Sequence, residues 1–192
     1  MATDQLIVAG QGAGGADGTG LAFVAPEGTA VPTDALAALN VSFANAGKIT
    51  ENGLVAKFDK SVKEIKCFGS TQVQRVLVTD EKTTFDIEFL QTTPTAVAVY
   101  SGKALADVSA DVTGAMATTY GHSASVRYAI VFEIIDGSNH VRFVCPSVEV
   151  SARKERKIAA GEADVRAVTF TAYPDASGYA CYEYLIVAAL AA

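Results

Sequence analysis

The stretch Thr84-Phe85-Asp86-Ile87-Glu88-Phe89 carries the clearest structural signal in the chain. Apolar side chains at 85, 87 and 89 alternate there with polar or acidic side chains at 84, 86 and 88. Alternation with a period of two is typical of a β-strand that has one buried and one exposed face. We therefore predict a half-buried strand, with Asp86 and Glu88 on its exposed face.

The same alternation recurs on both sides of this strand and predicts antiparallel hairpins. Segments rich in turn-forming or charged residues separate the alternating runs. The predicted hairpins are 73–78 with 84–89 around Asp80-Glu81-Lys82, 128–134 with 141–145 around Asp136-Gly137-Ser138-Asn139, and 165–173 with 179–187 around 174–178. Shorter strand candidates are 21–25, 54–58 and 62–68.

Helical signal is thin: residues 34–40 could form a turn or two, and one further short segment favours a helix. Thr93-Pro94 opens residues 95–101 with a proline at a favourable first helical position, and Gly102 is a suitable stop. Residues 104–119 are small, polar and β-branched, which is typical of a loop with at most a helical turn. The sequence thus predicts a mostly β fold, a β-sandwich or barrel of antiparallel hairpins with one short flanking α-helix.

Composition limits the classes of function. The chain has 192 residues, half of them hydrophobic, and a net charge of −6. That length fits one domain, and the acidity disfavours a broad nucleic-acid-binding surface, which needs Lys and Arg to neutralise phosphates. The three cysteines, Cys67, Cys145 and Cys181, form no CxxC motif, so we expect free thiols in a reducing compartment.

Residues that carry chemistry are scarce. The only histidines, His122 and His140, lack a neighbouring cysteine or carboxylate at metal-ligand spacing. Asp86 and Glu88 share a strand face, but acidic residues on the wet side of a strand are far commoner than a catalytic pair. We predict no catalytic residue, no cofactor and no metal site, and hence no enzyme. No apolar run reaches the length of a membrane span.

The N-terminal stretch is rich in glycine. Gly10, Gly12 and Gly15 match the spacing of a dinucleotide-binding fingerprint. That fingerprint needs a following helix, which further glycines and the prolines at 26 and 32 disfavour. We instead predict a flexible N-terminal arm over residues 1–19, ordered by a neighbouring copy through these glycines, and a folded domain over residues 20–192.

Two groups of basic residues stand out against the acidic background. One lies in the predicted strands near residue 60, and the other follows residue 150; the members are Lys57, Lys60, Lys63 and Lys66, and Arg153, Lys154, Arg156 and Lys157. They are either solvated charge or partners for acidic surfaces on another copy, such as Asp86 and Glu88. Opposed charges on one chain suit head-to-tail self-assembly, so both groups are candidates for a subunit interface.

Five segments, taken in order, resemble one protein family. They are the tract Gly18–Asp34 with Ala25-Pro26-Glu27-Gly28-Thr29, the turn Gly47-Lys48-Ile49-Thr50-Glu51-Asn52-Gly53, the strands Glu64–Gly69 and Thr84–Gln91, and the closing Thr169-Phe170-Thr171-Ala172-Tyr173-Pro174-Asp175. Their order and spacing resemble siphophage major tail proteins, the tail tube subunits common in phages of actinobacteria. The similarity runs from about residue 18 to 185, and residues 104–125 match none of it.

This resemblance implies a structural virion protein. Subunits of that family are β-sandwiches with a flanking helix, and they form hexameric rings that stack into a tube. DNA passes through the lumen during ejection without specific binding. The implied partners are further copies of the chain, a tape measure protein and a tail terminator, with assembly in the host cytoplasm. Asp86 and Glu88 would then face the lumen or a ring contact.

Other functions remain open from the residues alone. Another phage structural part, such as a capsid decoration protein or a tail terminator, would share the fold but would not polymerise into a tube. A carbohydrate-binding β-sandwich or an enzyme is the other class of alternative. Because binding modules of that kind present surface aromatics, the absence of tryptophan counts against it.

Overall fold

A computed structural model describes residues 22–121 and 125–190 of the chain. Over these residues the fold is mostly β, with a single antiparallel sheet of eight strands. The strands are β1 (Ala22–Pro26), β2 (Ala44–Asn45), β3 (Ile49–Lys66), β4 (Val73–Phe89), β5 (Arg127–Asp136), β6 (Asn139–Arg153), β7 (Arg166–Ala172) and β8 (Tyr182–Ile186). One α-helix, α1 (Pro94–Ser101), and 3-10 turns at Leu105–Asp107 and Ala188–Leu190 complete the described elements. The predicted fold class is confirmed.

The sheet curls so that its two halves pack on each other. Strand order is β2-β1-β5-β6-β7-β4-β3, which separates β5 from β4 by two strands. Nevertheless the ring of Phe85 on β4 lies 5.3 Å from the ring of Phe132 on β5, centroid to centroid. Both side chains are buried in one core with residues of β1, β6, β7 and α1. One face of the sheet therefore closes over a shared interior, as in a sandwich.

Strand β6 pairs with three other strands of the sheet. It pairs with β5 along one edge, and with β8 and then β7 along the other. Pro146, which has no N–H to donate, lies between the segment bonded to β8 and the segment bonded to β7. The β5 register also shifts here, because Tyr128 opposes Val148 while Ile130 opposes Cys145. The proline and the bulge beside it thus mark the point along β6 where its edge stops pairing with β8 and starts pairing with β7.

Two of the three predicted hairpins need correction. Asp80-Glu81-Lys82 is not a turn, because β4 runs through it and pairs with β3 as one long hairpin. Charged residues are tolerated there because they meet opposite charges across the strands, as Lys60 meets Glu81 at 3.0 Å. Strands β7 and β8 exist as predicted but do not pair together, since both lie along one edge of β6. The two-residue turn between Asp136 and Asn139 is confirmed.

The helix forms where the sequence predicts it. Thr93 caps its start, with the Thr93 hydroxyl accepting a hydrogen bond from the Ala96 N–H at 3.0 Å. The helix ends at Gly102. Its residues are almost all buried, and Tyr100 donates to the Lys154 carbonyl at 3.1 Å. No helix among the residues described has the length and apolarity to cross a membrane.

A buried ion pair holds the loop before β2 against the sheet. Glu133 on β5 and Arg142 on β6 face each other across the strands, and Arg142 donates to the Glu133 carboxylate. Their side chains are only 10% and 5% exposed. The Arg142 guanidinium also donates to the Asp34 carbonyl at 2.9 Å and the Ala37 carbonyl at 2.7 Å. One cation therefore satisfies a carboxylate and two loop carbonyls.

We expect Arg142→Met to lower the free energy of unfolding by about 3–5 kcal/mol, because it leaves the Glu133 carboxylate buried without its partner. The matched control is Glu133→Leu with Arg142→Met, which removes both charges and is expected to be more stable than the single variant. Urea denaturation measures both. A single variant as stable as the double variant would contradict this role of the pair.

Candidate assembly surface

The distal part of the β3–β4 hairpin extends beyond the rest of the sheet. Strand β7 pairs with β4 only from Thr83 to Phe89, so residues 58–82 form a two-stranded ribbon, a name we keep for this segment. At about 3.3 Å per residue, the nine residues from Phe58 to Lys66 reach roughly 30 Å. Apart from Ser70 and Leu77, which are partly buried, every residue of the ribbon is exposed.

One face of the ribbon carries four apolar side chains, interrupted by the Lys60–Glu81 ion pair, and nothing among the described residues covers them. Residues opposite each other in an antiparallel pair share a face, and Val62 opposes Val78 while Glu64 opposes Val76. With Phe58, two steps along β3 from Lys60, these valines form what we call the apolar strip: Phe58, Val62, Val76 and Val78. Their exposed fractions are 63%, 53%, 53% and 50%.

The apolar strip is a continuation of the core face. Phe58 and the buried Phe85 lie on the same side of the hairpin, with ring centroids 6.2 Å apart in an edge-to-face arrangement. The ribbon ends in the turn that contains the fully exposed Phe68. Because an isolated two-stranded hairpin is marginally stable in water, a long ribbon with such a face is suited to docking on another surface.

The predicted acidic pair lies at the base of the ribbon and is hydrogen-bonded within the chain. Asp86 accepts from Lys57 and from Thr169, both at 2.5 Å. These two hydrogen bonds, that from Lys57 first, lower the pKa of Asp86 below its ordinary value. Asp86 is therefore already paired with a cation of its own chain, Lys57.

Glu88 is held in the same way. It accepts from Asn52 at 2.8 Å, from Lys154 at 3.0 Å and from Thr50 at 3.0 Å. These bonds, led by that from Asn52, lower the pKa of Glu88. Strands β3 and β4 and the residue that follows β6, Lys154, therefore meet in a small polar network on the outer face of the sheet.

The structure brings several predicted basic residues to acidic partners within one chain. The intrachain ion pairs are Lys57–Asp86, Lys60–Glu81, Lys66–Glu64, Lys154–Glu88, Arg156–Asp164 and Lys157–Glu162. Lys63 and Arg153 make no ion pair with any described residue. Gly10, Gly12 and Gly15 lie outside the described residues. An interface role for any of these residues stays a prediction.

Sites for metal or catalytic chemistry are not evident in the part of the chain that the structure describes. No three His, Cys, Asp or Glu side chains within residues 22–121 and 125–190 converge as metal ligands. His140 is almost buried beside the Glu133–Arg142 pair, and burial lowers its pKa. Among the described residues, the feature of this surface that points to a function is the uncovered apolar strip.

A comparison with protein families finds a match. A family model described as phage tail tube protein matches residues 3–190. The chain belongs to the phage tail tube protein family. A comparison with curated proteins finds no match.

The tail tube family is a structural, non-enzymatic family whose members assemble into a tube in the virion tail. The predicted tail tube family is thus confirmed, and its siphophage and actinobacteriophage type stays a prediction. The apolar strip of this tail tube protein is not among the features that the sequence patterns predict. Phe58 and Val62 are even-numbered apolar residues among lysines and so indicate an apolar strand face. The turn predicted at residues 80–82 ends the hairpin too early for that face to be recognised as one long strip.

The Asp86 hydrogen bonds predict a specific acid response. Because the folded-state pKa of Asp86 lies below the ordinary 3.8, its stabilisation is complete above that value and is lost as the pH falls through the folded-state pKa. We expect Asp86→Asn to lower stability at neutral pH, with the difference from the wild type shrinking below about pH 4. Urea denaturation across the pH range measures this.

The control for this prediction is Asp80→Asn, the same change on an exposed carboxylate of the ribbon that makes no ion pair with a described residue. Asp80→Asn should change neutral-pH stability less than Asp86→Asn does. A stability difference for Asp86→Asn that stays constant from neutral pH into the acid range would contradict the assigned role of its charge.

Proposed function

We propose that this tail tube protein forms hexameric rings that stack into the tail tube of a siphophage, and that the ribbon docks on a neighbouring copy. The observation that carries the proposal is the apolar strip, which continues the core face but is half-exposed in the single chain. An exposed apolar patch of this kind marks an interaction surface. The family's tube assembly makes a second copy of the chain its occupant.

The strand edges of the sheet support the same proposal. Strand β3 is the last in the sheet order, so its outer edge has no strand partner among the described residues. Unpaired edge groups are a hazard in a monomer and a template for pairing with another chain. A ring formed by such edges would satisfy backbone groups that the described part of a single copy leaves to water.

The lumen of the tube is proposed to carry DNA during ejection without binding it. A net charge of −6 repels phosphates and supports sliding. Asp86 and Glu88 are each matched by a lysine at 2.5 and 3.0 Å, so these pairs add little net charge. Both roles considered for them, lumen wall and ring contact, therefore stay open in this proposal. The arm over residues 1–19 is proposed to order on a neighbouring ring.

Further partners and the place of assembly belong to the same proposal. A tape measure protein would occupy the growing tube and a tail terminator would end it, with assembly in the host cytoplasm. Each follows from the resemblance to siphophage major tail proteins. A single-ring protein, such as a terminator or a capsid decoration protein, is the alternative that assembly experiments separate from a tube.

Polar substitution of the apolar strip tests the proposal. Val62→Thr with Val76→Thr replaces two methyl groups by hydroxyls while keeping side-chain shape, so docking should weaken and the monomer should stay folded. We expect tubes in electron micrographs of the purified wild type and a large loss of tubes, of about tenfold or more, in this variant.

The matched control makes the same chemical change on exposed valines outside the ribbon. Val41 and Val112 are almost fully exposed in loops, and Val41→Thr with Val112→Thr should assemble as the wild type does. Circular dichroism verifies the fold of both variants. Normal tubes from the strip variant, or single rings from the wild type, would count against the proposal.

Salt dependence tests the electrostatic part of the interface. Within the two predicted basic groups, Lys63 and Arg153 are the residues without an ion pair to a described residue, so they are the members of those groups best placed to pair with another copy. We expect Lys63→Ser with Arg153→Ser to reduce the yield of sedimentable tubes at about 0.05 M salt. The difference in yield between this variant and the wild type should narrow at about 0.5 M salt, because screening then weakens the same ion pairs in the wild type.

The control variant is Lys157→Ser, in which the lost cation already pairs with Glu162 of its own chain at 2.9 Å. It should affect tube yield less than the double variant at low salt. Equal yields from the double variant and the wild type at low salt would show that Lys63 and Arg153 are solvated charge only.

A further inference from the structure

Two of the three cysteines lie opposite each other where β8 joins β6. The β6–β8 register runs from His140 opposite Ile186 to Val144 opposite Tyr182. One further step in the same antiparallel register sets Cys145 opposite Cys181, the residue just before β8. Directly opposed residues have Cα atoms about 4.5–5.5 Å apart, which lies inside the range of about 4.4–6.8 Å seen in disulfides.

The two thiols also share one side of the sheet. Cys145 is fully buried in the main core, and Cys181 packs against that same core. Their neighbours Val144 and Tyr182 belong to the second apolar cluster on the other face, as alternation along paired strands requires. Burial, followed by contact with the Cys181 thiol, raises the pKa of the Cys145 thiol. The side chains are therefore adjacent as well as opposed in register.

We propose that Cys145 and Cys181 are a latent disulfide pair, which a low-molecular-weight disulfide such as oxidised glutathione converts into a cross-strand bond tying β8 to β6. Both are free thiols in the structure. Disulfides are rare in the reducing cytosol and persist in oxidising surroundings. A tail component leaves the cytosol with the virion, so the bond would form after assembly.

The reaction balances as two thiol–disulfide exchanges. Cys181 is partly exposed and reacts first, its thiolate attacking one sulfur of oxidised glutathione and releasing one glutathione thiolate. The Cys145 sulfur then attacks the Cys181 sulfur of the mixed disulfide, and its proton passes to the departing second glutathione. Two protein thiols and one oxidised glutathione give one protein disulfide and two reduced glutathiones.

The test uses the full chain carrying Cys67→Ser, which removes the exposed thiol near the ribbon tip and its intermolecular bonds. After incubation with oxidised glutathione, free thiols are alkylated under denaturing conditions and the chain is digested with trypsin without reductant. We expect mass spectrometry to find residues 143–153 joined to residues 167–192, and reduction to separate them. The intact mass should fall by two hydrogen atoms.

Thermal melting provides a second readout. The bond closes a loop from residue 145 to residue 181, and we expect the midpoint to rise by about 5–10 °C on oxidation. The control carries Cys67→Ser and Cys181→Ser, and should show neither the joined peptides nor the rise. A stable glutathione adduct on Cys181 with no joined peptides would overturn the proposal, as would thiols that stay reduced in the folded chain but oxidise in urea.

Discussion

The ring contacts of Phe85 are the interaction on which this fold depends. That side chain is fully buried, and its ring lies 5.3 Å from Phe132 of β5, 6.1 Å from Phe143 of β6 and 6.2 Å from Phe58 at the base of the ribbon. Because β4 is separated from β5 by two strands and from β6 by one, the contacts with Phe132 and Phe143 exist only if the sheet curls. The Phe85 ring thus contacts both the residues that close the core and Phe58 at the base of the ribbon.

The ribbon follows from that continuity. The alternation that buries Phe85 and Ile87 persists along the hairpin, but β7 stops pairing at Thr83 and the same face emerges into water. Apolar side chains that would stabilise a core instead form a surface whose burial requires another molecule. In the proposed assembly, stability of the single chain and assembly into a tube depend on different parts of one sheet face.

Sequence patterns predicted the parts of this fold that depend on near neighbours. The strand around Phe85 and the helix capped by Thr93 are specified by residues within a few positions, and both are present. The Asp80–Lys82 turn was wrong because partners across the hairpin, such as Lys60 for Glu81, lie far away in sequence. The β7–β8 pairing was wrong because Pro146 on a third strand decides where each of them lies.

The uncovered ribbon also bears on how a tube begins. A free subunit has a net charge of −6, so two copies repel each other while one docked ribbon buries only a few half-exposed side chains. A copy that joins an existing end gains several contacts against the same repulsion. Growth at an end is then favoured over the first encounter of two free copies. In the proposed assembly, the first encounter of free copies, and not the later growth of the tube, would then limit how fast purified subunits form tubes.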